Sequence, residues 1–213
     1  MIAVNIDLRG ELLAIRQQGR RNSCLAFATS SAHEHHGKHA EPLSVEYLFF
    51  HAVVRTLGTN PDLGTTMEAA AAALADAGQP IETAWSYQPR QLYLPDWTPP
   101  PITFKMHKAA MTVGALTPLE VCAALDDHQS VVLGLVITDA FRQANSSGIL
   151  PNLTPDPERG GHAVVALGHG LDHSGEQHIL IRNSWGPEWG LGGHAWLSES
   201  YLARQLHETA ILV

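Results

Sequence analysis

The sequence predicts an α+β fold in which helices gather in one lobe and an antiparallel, barrel-like sheet forms the other. Three observations predict it. Apolar residues recur at helical spacing through the first half of the chain. In the second half they gather in short runs separated by loops, as strands do. Between the halves lies "YLPDWTPPPITF", Tyr93–Phe104, whose run Pro99–Pro101 favours extended polyproline geometry and suits a connector. Helices and strands segregated in this way indicate α+β rather than alternating βαβ units. We expect one domain over residues 1–213, with a helical lobe at about 10–105 and a β lobe at about 106–213. The cleft between the lobes is the natural place for a site.

The elements follow in order. The first helix runs from Ser23 to about His36 and opens with Leu25, Ala26, Phe27 and Ala28. "LSVEYLFFHAVVRTL", Leu43–Leu57, is the second, with Ser44 as its N-cap. "TTMEAAAAALADAG", Thr65–Gly78, is the third: Thr65 or Thr66 caps it, alanines allow close packing, and Gly78 ends it. "TPLEVCAALDDH", Thr117–His128, reads as a short helix with Thr117 and Glu120 as a capping box and Pro118 in the first turn. Cys122 inside it, spaced with Leu119 and Leu125, reads as a small buried residue. The strand candidates are "SVVLGLVIT", "GHAVVALGHG", "QHILIRNSW", "GGHAWLS" and the closing "HETAILV".

Composition narrows the function. Hydrophobic residues make up 45% of the chain, enough for a real core. The net charge of -8 argues against nucleic acid or an anionic membrane as a partner, because both require a basic surface. The longest apolar runs are strand-length, and the N-terminus lacks the pattern of a signal peptide. Two cysteines make a poor disulfide framework, so we expect both thiols reduced and the protein in a bacterial cytoplasm.

Reactive residues combine with glycine or tryptophan at three places: "QQGRRNSCLAF" around Cys24, "RGGHAVVALGHG" around His162, and "IRNSWGPEWGLGGHAWLS" around Asn183. Taken alone, Cys24 is open to three readings: a nucleophile, a metal ligand near histidines, or a small buried residue. The metal reading is weak. "HEHHGKH", His33–His39, is not an HExxH motif, since Gly37 stands where the second histidine belongs. We expect no metal, and we place His33 to His36 on the surface of their helix. The glycines of "GHG" and "GGH" lack the lysine and spacing of a phosphate loop, so no cofactor is expected, and they suit close approach of an extended substrate. The nucleophile reading has a clear physical basis. A thiol reacts as thiolate. A helix N-terminus and a histidine imidazolium such as His162 both favour that form. His162 can then protonate a leaving amine, and the Asn183 side-chain oxygen can aim its ring.

In order and context these blocks resemble the papain-like cysteine peptidases: Gln18, then Cys24 opening a helix, then "GGHAV", then "NSWG" with two further tryptophans. "DLR", "SCLAFATSSAHE" and "LSVEYLFFHA" are similar to the bacterial, prodomain-less branch of that family. The resemblance runs from about Asp7 to Tyr201 and implies a two-lobe fold with Cys24, His162 and Asn183 in a cleft. It implies that the Gln18 amide and the Cys24 N–H form an oxyanion hole, and that Trp185 shelters the His162–Asn183 bond. It also places substrate on Gly64, Thr65 and Gly161, with Met67, Gly134 and Ala163 around a mostly apolar specificity pocket. The usual Cys-Gly-Ser-Cys-Trp reads here Arg21-Asn22-Ser23-Cys24-Leu25. Arg21 replaces a normally disulfide-bonded cysteine. Asn22 replaces a glycine, and asparagine tolerates positive φ well enough to keep the turn.

The expected activity is a cysteine endopeptidase acting on peptide or protein substrates through an acyl-enzyme, under the control of flanking domains or a regulatory protein partner. The alternatives are a dedicated maturation peptidase or acyl transferase using the same residues, and a pseudopeptidase that only binds peptide. The Arg20-Arg21-Asn22 departure is what keeps the last reading open.

Overall fold

The computed structural model describes residues 2–151 and 153–213. Strand β1 (Ala3–Asp7) precedes three helices, α1 (Cys24–His36), α2 (Val45–Val53) and α3 (Met67–Asp76). There follow β2 (Met111–Gly114), α4 (Pro118–Asp126), β3 (Val131–Thr138), α5 (Asp139–Arg142) and β4 (Glu158–Leu171). The chain closes with β5 (Gln177–Arg182), β6 (His194–Ser198), α6 (Glu199–Gln205) and β7 (Leu206–Leu212). Helices and an antiparallel sheet segregate as expected for α+β. The sheet order is β2-β7-β3-β4-β5-β6, and β1 pairs with the far half of β4.

Local chemistry accounts for the helix starts. Ser44 accepts from the Tyr47 N–H, Thr66 from the Ala69 N–H, and Thr117 with Glu120 forms a complete capping box. No α-helix or strand lies between Ala84 and Met111 among the described residues. That segment carries the chain from the helices to the sheet, with Trp97 buried along the way.

Two cores meet at the sheet. On one face Val132, Ala163, Val165, Ala210 and Leu212 pack against α1, α2 and α3. On the other, Leu133, Leu135, Val164 and Ile179 pack with α4 and with Tyr201 and Leu202 of α6. Because β3 is covered on both sides, its sequence is a continuous apolar run rather than an alternation.

Three expectations are corrected. Helix α1 runs through the interior, so His33 and His35 are buried rather than on the surface. Burial of polar groups requires partners, and they have them: His33 Nδ1 lies 2.9 Å from Gln79 Oε1 and His35 Nδ1 3.0 Å from Ser130 Oγ. The glycines of "GHG" admit β1, not substrate: a Cβ on Gly168 or Gly170 would press on the carbonyl oxygens of Ile6 and Ala3. In α4, Cys122 is buried with Leu125, but Leu119 is exposed.

Candidate active site

Cys24 is the first residue of α1. Its N-cap, Ser23, gives its hydroxyl to a chain of bonds rather than to the helix. Ser23 Oγ lies 2.7 Å from Tyr87 Oη, which donates to the Gln18 carbonyl at 2.8 Å. The first-turn N–H groups of α1 therefore have no side-chain cap, and the positive end of the helix dipole falls at Cys24.

His162 stands on β4, paired with Leu135 of β3. Its Nε2 lies 2.7 Å from Asn183 Oδ1. The same oxygen accepts the Ser184 N–H at 2.8 Å, which identifies it as the amide oxygen. Nε2 therefore carries the proton and donates, and Nδ1 is left with the lone pair of the neutral ring. Trp185 lies over this imidazole with ring centroids 4.8 Å apart, and Phe141 meets it edge-on at 5.7 Å. Trp189 stacks behind Phe141 at 5.0 Å and completes an apolar wall.

Gln18 is buried. Its Oε1 accepts Ser184 Oγ at 2.6 Å, and its Nε2 donates to the Arg21 carbonyl at 2.8 Å. These two bonds set the amide orientation and leave one N–H of the amide uncommitted. The Gln18 N–H also donates to the Ser184 carbonyl, and Gln17 bridges to Trp185. The loop bearing Gln18 and the loop bearing Asn183 are thus joined through backbone.

Burial opposes an isolated charge on either reactive residue. It raises the Cys24 thiol above its ordinary range, against N–H groups of Ala163, Leu25 and Cys24 that favour thiolate. It lowers His162 to about 4, against the Asn183 hydrogen bond. A thiolate and an imidazolium formed together would compensate each other, as neither could alone.

Cys24 and His162 line a cleft of about 480 Å³. Asn22, Gly64 and Thr65 border it on the helical side, and Gly134, Gly161, Ala163 and Glu208 on the sheet side. Gly64 has φ of 75°, and a Cβ there would lie 3.0 Å from the Asn22 carbonyl oxygen, so only glycine sits there without strain. Two expectations fail at this cleft. Met67 is fully buried in the helical core and is not part of the lining. Nor is the pocket mostly apolar, because Glu208 enters it from β7.

The departures around the cysteine also resolve. Asn22 is not among the residues with positive φ, so the turn needs no left-handed residue there. Its side-chain amide instead donates to the Asp62 carbonyl. Arg21 turns away from the cleft and pairs with Glu46 in the helical core. Sequence reasoning missed Tyr87, Phe141, Ser184 and Glu208, each brought to the site by contacts between distant segments. Ser184 alone had a local signal, its place next to Asn183.

Residues 2–211 match the family described as papain family cysteine protease. Cathepsin L1 of Drosophila melanogaster is 28% identical over 206 residues, covering 88% of this chain and 51% of its own. An uncharacterised peptidase C1-like protein of Acanthamoeba polyphaga mimivirus is 24% identical over 207 residues, covering 87% of this chain and 64% of its own. The chain thus spans about half the length of that cathepsin. Among solved structures, xylellain, a cysteine protease from Xylella fastidiosa, superposes with a TM-score of 0.78 at 22% identity, covering 97% of this chain and 84% of its own. The Carica candamarcensis cysteine protease CMS1MS2 gives 0.73 at 23%, covering 98% and 97%. These likenesses show the fold, and the match along the sequence shows the family: the chain belongs to the papain family of cysteine proteases.

Proposed function

We propose that the protein is a cysteine endopeptidase in which Cys24 attacks the substrate carbonyl and His162 shuttles the proton. The observation that carries this reading is the Asn183 oxygen, held by the Ser184 N–H and accepting Nε2–H of His162. That bond leaves Nδ1 to take the thiol proton and then to give it to the leaving amine. The tetrahedral oxyanion is stabilised by the free Gln18 amide N–H and the Cys24 backbone N–H. The acyl-enzyme is then hydrolysed with the same imidazole as base.

Substrate adds as an extended strand along Gly64–Thr65, with Gly161 giving room on the opposite wall. Arg21 points away from the cleft and Asn22 reaches to Asp62, which supports a competent cysteine over a pseudopeptidase that only binds. The two free thiols, and Arg21 at the place of a half-cystine, support a reducing bacterial cytoplasm. The likeness in fold to xylellain agrees with a bacterial branch. The chemistry uses protein groups alone and calls for no cofactor. Flanking domains or a regulatory protein partner would control access to the cleft.

The test is a digest of an unfolded protein, with new termini mapped by mass spectrometry and Cys24→Ala as control. Internal cleavages at many sites, all lost in Cys24→Ala, are expected. Cleavage of one specific peptide alone would indicate a maturation peptidase, and preferential transfer to an added amine would indicate an acyl transferase. Peptide retention without turnover would leave only a binding role.

A further inference from the structure

The hairpin that joins β4 to β5 gathers three metal-ligating side chains at the end of the sheet away from Asn183. Leu171 pairs with Gln177, so Asp172 falls opposite Glu176 across the turn. His178 follows two residues after Glu176, and in an extended chain such side chains share a face. Asp172, Glu176 and His178 bring one ligand atom each to within 4.8 Å of one another. Other histidine groups are built differently. His35 and His128 are both bonded to Glu11, and His33, His39 and His107 meet ring against ring.

Each of the three ligands is aimed by a bond on its other side. Asp172 Oδ1 accepts the Ser174 N–H, the Ser174 hydroxyl and the Glu176 N–H at 2.7 to 2.9 Å, which leaves Oδ2. Glu176 Oε1 accepts the Ser200 N–H at 3.2 Å, which leaves Oε2. His178 Nδ1 lies 3.1 Å from the Glu176 carbonyl oxygen. A carbonyl only accepts, so in the neutral ring Nδ1 carries the proton and Nε2 keeps the lone pair. A backbone bond of this kind is what fixes the tautomer of a metal-bound histidine.

His178 is only 4% exposed, and with Glu176 it lines a cavity of about 280 Å³. Its Nε2 has no hydrogen-bond partner among the described residues. Two carboxylate oxygens and a buried lone pair therefore share one small space without a donor among them. Acceptors so placed are uncompensated until a cation enters. Arg204 lines the same cavity, but among the described residues it makes no ion pair with Asp172 or Glu176.

We propose that Asp172, Glu176 and His178 form a site for a divalent transition-metal ion, zinc above all, that pins the β4–β5 hairpin to the start of α6. One imidazole among the ligands favours zinc over calcium or magnesium, which take oxygen. Three protein ligands leave a fourth position for water. The link to α6 runs through the Glu176–Ser200 bond. The ion takes no part in the peptidase chemistry, and its role is to hold the far ends of the strands that carry His162 and lead into Asn183.

The test is calorimetric titration of zinc chloride into metal-free Cys24→Ala protein, whose cleft has no thiol to bind the ion. One zinc per chain is expected, with calcium chloride about a hundredfold weaker or worse. His178→Ala and Glu176→Gln, each made in the Cys24→Ala protein, should weaken zinc at least about tenfold. His107→Ala, in a separate histidine group, should leave the affinity unchanged. Zinc should raise the melting temperature, and His178→Ala should lose that rise. Melting without metal separates a lost site from lost folding. X-ray absorption of the zinc-loaded protein should show one imidazole nitrogen, with the remaining ligands oxygen, at about 2.0–2.2 Å. If His178→Ala does not fold, Asp172→Asn and this spectrum decide the same question. A Kd weaker than about 1 mM, equal affinity in His178→Ala, or a spectrum with two or more imidazoles overturns the proposal.

Discussion

Arg21 and Glu46 form a two-pronged ion pair out of solvent, with Nη1–Oε2 at 2.6 Å and Nη2–Oε1 at 2.9 Å. Arg21 also donates to the Gln88 carbonyl, and its guanidinium lies 5.0 to 5.6 Å from the ring centroids of Tyr87, Phe49 and Trp97. Glu46 accepts in addition from the Trp97 indole and the Gln88 N–H. The pair ties the loop before Cys24 to α2 at the place where the family's motif has a half-cystine. Since the Arg21 carbonyl holds the Gln18 amide, it also bears on the oxyanion hole. Removing one partner strands a buried charge, so Arg21→Ala or Glu46→Ala should each lower stability by about 3–5 kcal/mol in a denaturant titration. Arg21→Met/Glu46→Met should recover part of that loss. A single-variant loss below about 1 kcal/mol would show that the pair does not anchor the loop.

Gln18 and Asn183 should separate kinetically from stability. Gln18→Ala removes an oxyanion donor and should lower kcat by about 10²–10³ while changing KM little. Asn183→Ala frees the His162 ring and should also lower kcat, by less than the loss on removing the imidazole itself, which is about 10²–10⁴. Steady-state kinetics of Gln18→Ala, Asn183→Ala and His162→Ala check both. A change confined to KM would assign these residues to substrate binding instead.

Stability should fall as pH drops below neutrality. Burial lowers His33, His51 and His194 to about 4 in the folded protein, against 6.5 for an ordinary histidine. Below pH 6.5 the unfolded chain binds these protons first, so stability is whole above that pH and lost between 6.5 and about 4. Melting temperatures across this window should decline steadily, and less steeply in His33→Leu. A flat profile would contradict neutral, buried imidazoles.

Gly64→Ala should disturb the helical rim of the cleft. Its φ of 75° is unfavourable for alanine, and its Cβ would crowd the Asn22 carbonyl. A destabilisation of about 1–2 kcal/mol with a raised KM is expected. An unchanged KM would remove Gly64 from the substrate path.

Much of this was readable along the chain, and the exceptions share a cause. Helices α3 and α4 announced themselves by their caps and β3 by its apolar run. Strand β1 did not, because its side chains are largely exposed and its partner, the far half of β4, lies far along the chain. Helix α5, four residues long, is too short for a period to register. At the site, Cys24, His162 and Asn183 stood out by motif, since their local neighbours carry information. Tyr87 reaches the Gln18 carbonyl from 69 positions away, and nothing near it in sequence points there. Glu208 likewise takes its place only through strand pairing with Gly134, which is why the pocket read as apolar. The histidines of α1 misled in the opposite direction: they looked like a polar face, yet their partners Gln79 and Ser130 lie on other segments.

The central claim is that Cys24 is activated by His162, and alkylation tests it most directly. The protein holds two free thiols for comparison. Cys122 is buried in the β core, and burial and nearby acids raise its thiol to about 11. With iodoacetamide near pH 6, Cys24 should be labelled rapidly and alone, and His162→Ala should abolish that selectivity, because burial then leaves the thiol above its ordinary range. Slow, equal labelling of both cysteines, or rapid labelling of Cys24 that persists in His162→Ala, would contradict the claim.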